Sequence, residues 1–240
     1  MRTALRWAFV IAWTAVLWAA ALACRFLSPG GALIHRLSRF WARAILAVVG
    51  VRLRVWGRDR VRGGPFVVVA NHSSMLDICV AFVALPVQFR FVSRPFFFRV
   101  PFLGWGMALA GHISLDPRKP REARAVLRTL ADRLARGTSV LLFPEGTRSP
   151  DGRVRRYKRG PFLTAIRSGV AVLPICLDGL FEALPKGARD VRPGAARVVI
   201  GEPIQTSGLG AEDAASLADR AEEWTRATKE DGAAAGGVRG

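Results

Sequence analysis

The chain opens on an uninterrupted apolar stretch. Trp7 to Cys24 is 18 residues without a charge, with Thr14 its only conventional polar group. As a helix rising about 1.5 Å per residue it reaches about 27 Å, close to a bilayer core of about 30 Å. Arg2 and Arg6 precede it and Arg25 follows, so flanking charge sets no clean orientation. Three readings compete. The segment is a membrane anchor, lying in the bilayer or crossing it once; or a cleaved signal, for which Ala21-Leu22-Ala23-Cys24 resembles a weak lipoprotein box; or a buried core helix. The anchor fits best. A second apolar stretch, Phe40 to Val51, is interrupted by Arg43 and flanked by His35, Arg36 and Arg39, the pattern of a helix lying at the interface.

Beyond residue 51 the period changes. Val51-Arg-Leu-Arg-Val-Trp56 alternates every second residue, as a half-exposed strand does. Phe66 to Ala70 is a continuous apolar run after the turn residues Arg62-Gly63-Gly64-Pro65, which predicts a buried strand. Further strands are expected at 89–93, 113–115, 140–143, 170–175 and 196–200. Between them Ala123, Val126, Leu127, Leu130 and Leu134 mark one face of a helix whose other faces carry Arg124, Arg128, Arg133 and Arg136. The tail from Ala211 to Lys229 reads as an acidic surface helix. Strands alternating with helices predict an α/β fold: a mixed, largely parallel sheet flanked by helices, preceded by an N-terminal two-helix membrane-binding hairpin. The expected organisation is 1–50 membrane-associated helices, 51–230 one catalytic domain and 231–240 a flexible tail.

Charge sharpens this picture. The 240 residues carry 36 Lys and Arg against 18 Asp and Glu, and residues 1–200 hold 32 of the bases with 10 of the acids. The basic surface therefore belongs to the main body and suits anionic lipid, phosphate groups or nucleic acid. A hydrophobic content of 51% excludes a disordered chain. Cys24, Cys79 and Cys176 lie far apart, with no zinc-ligand spacing and an odd count, which points to unpaired thiols in a reducing compartment.

Two constellations can carry chemistry. Asn71-His72-Ser73-Ser74-Met75-Leu76-Asp77 follows directly on the buried 66–70 strand, and in α/β sheets ligands bind beyond the carboxyl ends of strands. Ser73 or Ser74 is expected to cap the next helix, with Asp77 in its first turns. A carboxylate there can accept one imidazole N–H, fix the tautomer and leave the other ring nitrogen as a general base. Phe143-Pro144-Glu145-Gly146-Thr147-Arg148-Ser149 ends another apolar strand, so Glu145 and Arg148 should reach the same sheet edge. Arg holds phosphate bidentately, and Glu accepts hydrogen bonds from hydroxyls. Six bases between Arg148 and Arg159 face Asp151 alone, which suits a membrane phosphate surface. His35 is expected to mark the interface, His112 to pack beside its strand, and Cys79 and Cys176 to be core thiols.

Taken together, His72-(x4)-Asp77 and the 143–149 stretch resemble the glycerophospholipid acyltransferase family, particularly its bacterial 1-acylglycerol-3-phosphate type. Gly111-His112-Ile113-Ser114-Leu115-Asp116-Pro117-Arg118, Val172-Leu173-Pro174-Ile175 and Phe98 to Trp105 resemble the family's other motifs, in the same order across about 50–205. Pro117 interrupts the Asp-Arg pair that the family usually shows. The resemblance implies acyl transfer from acyl-CoA or acyl-carrier protein to the free hydroxyl of a lysophospholipid, with His72 as base and Asp77 its brace. It implies that Glu145, Gly146, Thr147 and Arg148 bind the glycerol phosphate, with Arg118 a helper. No metal and no cofactor beyond the thioester co-substrate are called for. The expected location is the cytoplasmic face of the inner membrane. Lysophosphatidic acid is the leading acceptor, a lyso-ornithine lipid an alternative. A hydrolase using the same pair, and a membrane-tethered nucleic-acid binder, stand as rivals. The latter lacks a helix-turn-helix signature or an aromatic stacking motif, so no nucleic acid is expected.

Overall fold

The computed structural model describes residues 2–28, 31–116, 119–188 and 190–236. Its centre is a seven-stranded sheet made of β1 (Val51–Trp56), β2 (Val67–Ala70), β3 (Phe89–Ser93), β4 (Ile113–Ser114), β5 (Ser139–Leu142), β6 (Val172–Asp178) and β7 (Gly194–Ile200). The spatial order is β1-β7-β6-β2-β5-β3-β4. Every pairing is parallel except the antiparallel β6–β7 pair. The expected mixed, largely parallel sheet is therefore what forms. β2 and β5, adjacent and central, are buried along their whole length, which is why their sequences run apolar without alternation. Strand β1 lies at the edge, and its Arg52, Arg54 and Trp56 point to solvent between less exposed Val51, Leu53 and Val55.

Helices cover both faces. On one side lie α1 (Arg2–Leu27), α2 (Ala32–Val49), α3 (Asp77–Ala84), the short α4 (Pro95–Phe98) and α5 (Leu103–Leu109). They bury Ile45, Leu46, Phe82 and Leu85 against Val68, Phe89 and Leu141 of the sheet. On the other side α6 (Pro120–Ala135), α7 (Gly160–Ser168) and α9 (Ala214–Gly236) bury Leu130, Leu134, Phe162 and Leu217 against Val67, Val69 and Val140. The remaining short helix, α8 (Leu180–Ala183), follows β6. Consecutive residues of β2 thus feed two separate cores, the consequence of a two-residue period between two helix layers. The acidic helix expected at the tail is α9, and it continues through Gly236.

Two expectations at the front end are revised. α2 is not only an interface helix, because Ala42, Ile45, Leu46 and Val49 are buried in the core against the sheet and Ile34 is buried beside Ala21 and Ala110. Each such aliphatic side chain contributes about 1.5–3 kcal/mol over leaving it exposed. His35 is accordingly not an interface marker. It is 6% exposed, packed against Phe82 and Phe89 at ring distances of 5.5 and 5.2 Å. Burial, with Arg90 and Arg39 nearby, lowers its pKa to about 4, so it sits in the core as a neutral ring.

α1 behaves differently. Ala4–Leu27 has a mean hydropathy of 1.9 over its most apolar window, yet 11% of that window is buried. That overturns the core-helix reading. Leu5, Ile11, Val16 and Phe26 are all more than half exposed. The opposite face packs on α2 and α5, where Trp41 Nε1 donates to Thr14 Oγ1 at 3.0 Å, and Arg6 donates to the Val191 carbonyl at 2.9 Å.

Candidate active site

The loop after β2 is held by its first residue. Asn71 is 2% exposed, its Nδ2 donating to the Leu177 carbonyl and its Oδ1 accepting the Leu177 N–H, both at 2.8 Å. A side-chain amide thus continues the β2–β6 pairing where the β2 backbone turns away, and it fixes where His72 begins.

His72 Nδ1 lies 2.7 Å from Asp77 Oδ2. The same oxygen accepts the N–H groups of Ser73 at 2.8 Å and Ser74 at 2.9 Å. α3 starts at Asp77, and its carboxylate reaches back to the serine backbone. Ser74 Oγ accepts the Leu76 N–H at 3.3 Å at the start of α3 and donates to the Leu184 carbonyl at 2.9 Å. With Oδ2 acting as acceptor, Nδ1 is the donor, and the proton of a neutral ring sits there. Nε2 then carries the lone pair. The imidazole stacks on Phe143 at 4.0 Å and 19°, which leaves rotation about its bonds little room. Asp77 is fully buried while the His72 side chain is 20% exposed, so the carboxylate is dry and the imidazole is reachable.

The second loop is tied to the backbone of the same histidine. Glu145 Oε1 accepts the His72 N–H at 3.0 Å, and Ser149 N–H donates to the His72 carbonyl at 2.7 Å. Glu145 is 4% exposed and does not line the open space, although its neighbours Pro144 and Gly146 do. Its Oε1 braces the His72 loop, and its Oε2 is buried without a hydrogen-bond partner among the described residues. Burial raises its pKa to about 7, with Asp77 adding to the rise and the His72 N–H and Arg155 opposing it. Gly146 has φ +75°. A Cβ there would also come within 2.9 Å of Lys158 Nζ, so glycine serves both the turn and the approach of the lysine.

Thr147 and Arg148 do face the open space, a cavity of about 890 Å³ that His72 also lines. Arg94, Lys158 and Lys186 stand in its wall with Arg148, and no carboxylate does among the described residues. Lys186 Nζ is 3.5 Å from Thr147 Oγ1. Away from these cations the wall is apolar, with Leu37, Phe82, Phe91 and Met107. Its size suits a large, mostly apolar ligand with a charged end. The structure thus brings together His72, Asp77, Thr147 and Arg148, with Glu145 and Gly146 in support. Arg118 lies outside the described residues.

Sequence reasoning missed Asn71, Phe143 as a ring platform, and the cations Arg94, Lys158 and Lys186. Position offered a signal for two of them: Asn71 directly precedes His72 at a strand's carboxyl end, and Arg94 follows β3 in the same way. No described cluster of His, Cys, Asp and Glu has the makings of a metal site. Burial raises the thiols of Cys79 and Cys176 to about 12, which fits the expected core role.

A braced imidazole thus stands at the carboxyl edge of the sheet and opens on a greasy cavity with a cationic wall. A family model described as Acyltransferase matches residues 52–178, and the chain belongs to this acyltransferase family. It is 36% identical over 176 residues to a chloroplastic 1-acyl-sn-glycerol-3-phosphate acyltransferase of Arabidopsis thaliana, covering 72% of this chain and 49% of that protein. It is 32% identical over 196 residues to the 1-acyl-sn-glycerol-3-phosphate acyltransferase of Pseudomonas aeruginosa, covering 81% and 76%. The chain thus spans about half the length of the chloroplast relative. The crystal structure of a 1-acyl-sn-glycerophosphate (LPA) acyltransferase from Thermotoga maritima matches with a TM-score of 0.82, over 96% of this chain and 95% of that one. At 23% identity that likeness is one of fold.

Proposed function

We propose that this chain transfers a fatty acyl group from acyl-CoA or acyl-carrier protein to the free hydroxyl of 1-acylglycerol-3-phosphate, giving phosphatidic acid. The observation that carries the reading is the His72–Asp77 pair set in the wall of an apolar cavity beside Arg148. His72 Nε2 removes the hydroxyl proton as the oxygen attacks the thioester carbon. The tetrahedral intermediate collapses, the carbon–sulfur bond breaks, and the imidazolium returns the proton to the departing thiolate. Asp77 stabilises the imidazolium between these two steps. Such base catalysis supplies about 10²–10⁴-fold. Holding both substrates at the reacting distance supplies a further large share. Arg148, with Thr147 beside it, takes the phosphate. The route calls for no acyl-enzyme, in keeping with buried, high-pKa Cys79 and Cys176.

The place of action is a membrane surface, with the exposed apolar face of α1 in the bilayer and the catalytic domain on the cytoplasmic side of the inner membrane. The cationic wall favours a phosphate-bearing acceptor over a lyso-ornithine lipid. The test is to give purified protein labelled acyl-CoA and a panel of lysolipids, then identify the product by mass. Thiol release is expected only with a lysophosphatidic acceptor present, and none from His72→Ala. Release without any acceptor would make the chain a hydrolase, and turnover by His72→Ala would remove the base.

A further inference from the structure

Of the polar residues away from the cationic wall, Thr14, Ser38 and Thr164 donate to carbonyls of their own helices, whereas His112 holds an N–H that the chemistry just proposed does not use. His112 precedes β4 and pairs, by extension of the Val92↔Ile113 register, with Phe91. Its ring stacks on Phe91 at 3.8 Å and meets the edge of Phe82 at 6.0 Å. Nδ1 accepts the Phe91 N–H at 3.2 Å, so the proton of the neutral ring lies on Nε2. The ring is neutral: burial, then Arg90, His35 and Arg133, hold its pKa well below the ordinary value. Among the described residues Nε2 has no hydrogen-bond partner, while the ring itself forms cavity wall beside Phe82, Phe91, Met107 and Ala110. An N–H donor therefore faces a space otherwise built for hydrocarbon.

Register gives its depth. The His72 ring lies on Phe143, two residues beyond Leu141 at the end of β5, and the His112 ring lies on Phe91, level with Leu141 in the adjacent β3. At about 3.3 Å per residue and about 4.8 Å per strand the two phenylalanines are about 8 Å apart, which puts the two imidazoles roughly 12 Å apart. That is the reach of a long acyl chain from its carbonyl to its middle.

We infer that His112 is a specificity-determining residue that selects acyl groups carrying an oxygen, as hydroxyl or carbonyl, near the middle of the chain. The inference rests on the acyl-transfer reading above. A plain methylene chain pressed against Nε2–H strips that donor of water and returns nothing, whereas a chain oxygen restores the hydrogen bond. Stacking on Phe91 and the fixed tautomer make the donor's direction rigid, which a selecting group requires.

The experiment compares kcat/KM for palmitoyl-CoA with that for derivatives hydroxylated near mid-chain or at the terminal carbon, at a fixed lysophosphatidic acid concentration. The wild type is expected to favour one hydroxylated chain by roughly tenfold, the worth of one hydrogen bond. His112→Phe should reverse the order, gaining on palmitoyl-CoA and losing the preference. His112→Gln keeps an N–H donor in a similar place and should retain part of the preference, so the inference stays testable if the phenylalanine variant fails to fold. Turnover of all chains at equal rates by the wild type would overturn it. No lysolipid-dependent turnover of any thioester would instead sink the acyl-transfer reading itself.

Discussion

Replacing Glu145 by Gln isolates a strongly displaced carboxyl bonded to the backbone of His72. In the native loop that group is 4% exposed and titrates at about 7 instead of 4.5, raised first by burial. The unfolded chain gives up this proton near pH 4.5, while the native state keeps it to about 7. Between those values the native state binds more protons, so stability falls as pH rises. The loss is complete above about pH 7, and at about 1.4 kcal/mol per unit of displacement it comes to about 3 kcal/mol. His35, held down to about 4, contributes the opposite slope in both proteins, so the difference between wild type and variant is what reports on Glu145. Gln keeps an amide oxygen for the His72 N–H and cannot titrate. The variant should lack the downward slope and gain up to about 3 kcal/mol on the wild type at alkaline pH. Urea unfolding in mild detergent, followed by tryptophan fluorescence at a series of pH values, measures this directly. Parallel pH profiles for the two proteins would refute the reasoning, since a solvated Glu145 would titrate alike folded and unfolded.

Other substitutions read other parts of the site. Asp77→Asn should turn an amide N–H toward His72 Nδ1, move the ring proton to Nε2 and cost on the order of 10⁴-fold in kcat; near-normal turnover by thiol release would mean that Nε2 is not the base. Arg148→Ala should raise KM for lysophosphatidic acid by about 10–100-fold and leave KM for a neutral monoacylglycerol unchanged, the loss of one or two charge-assisted hydrogen bonds; equal effects on both acceptors would place the phosphate elsewhere. Placing Glu at Leu5, Ile11 and Val16 together should release the protein from anionic vesicles in a flotation assay, because charges on that face oppose burial in hydrocarbon. Persistent binding would assign attachment to another surface.

What could be read from the chain alone is what a local period or a short motif encodes. Alternation in 51–56 marked a half-exposed strand and the continuous apolar run at 66–70 a buried one, because side-chain direction repeats with the backbone itself; the structure puts the first at the sheet's edge and the second at its centre. The His72-(x4)-Asp77 spacing announced a pairing within one turn of chain, and the structure realises it at 2.7 Å. Motif order was enough to name the family.

Tertiary structure decided whatever depends on partners far along the sequence. Glu145 carries the same side chain whether it meets a substrate or supports a loop; only the packing of the β5 end against the β2 end turns it toward the His72 N–H. His35 and α2 read as interfacial because their flanking arginines are visible locally, whereas the phenylalanines of α3 and β3 that bury the ring are not. The serines of the first motif were expected to cap α3, and Ser74 Oγ does accept the Leu76 N–H there; that the Asp77 carboxylate also folds back onto the Ser73 and Ser74 N–H groups appears only in the closed loop. The cavity has no sequence signal at all. It is the space left between α1, α2, α5 and the sheet edge, and the donor that His112 presents to it exists only because Phe91 occupies the other ring nitrogen.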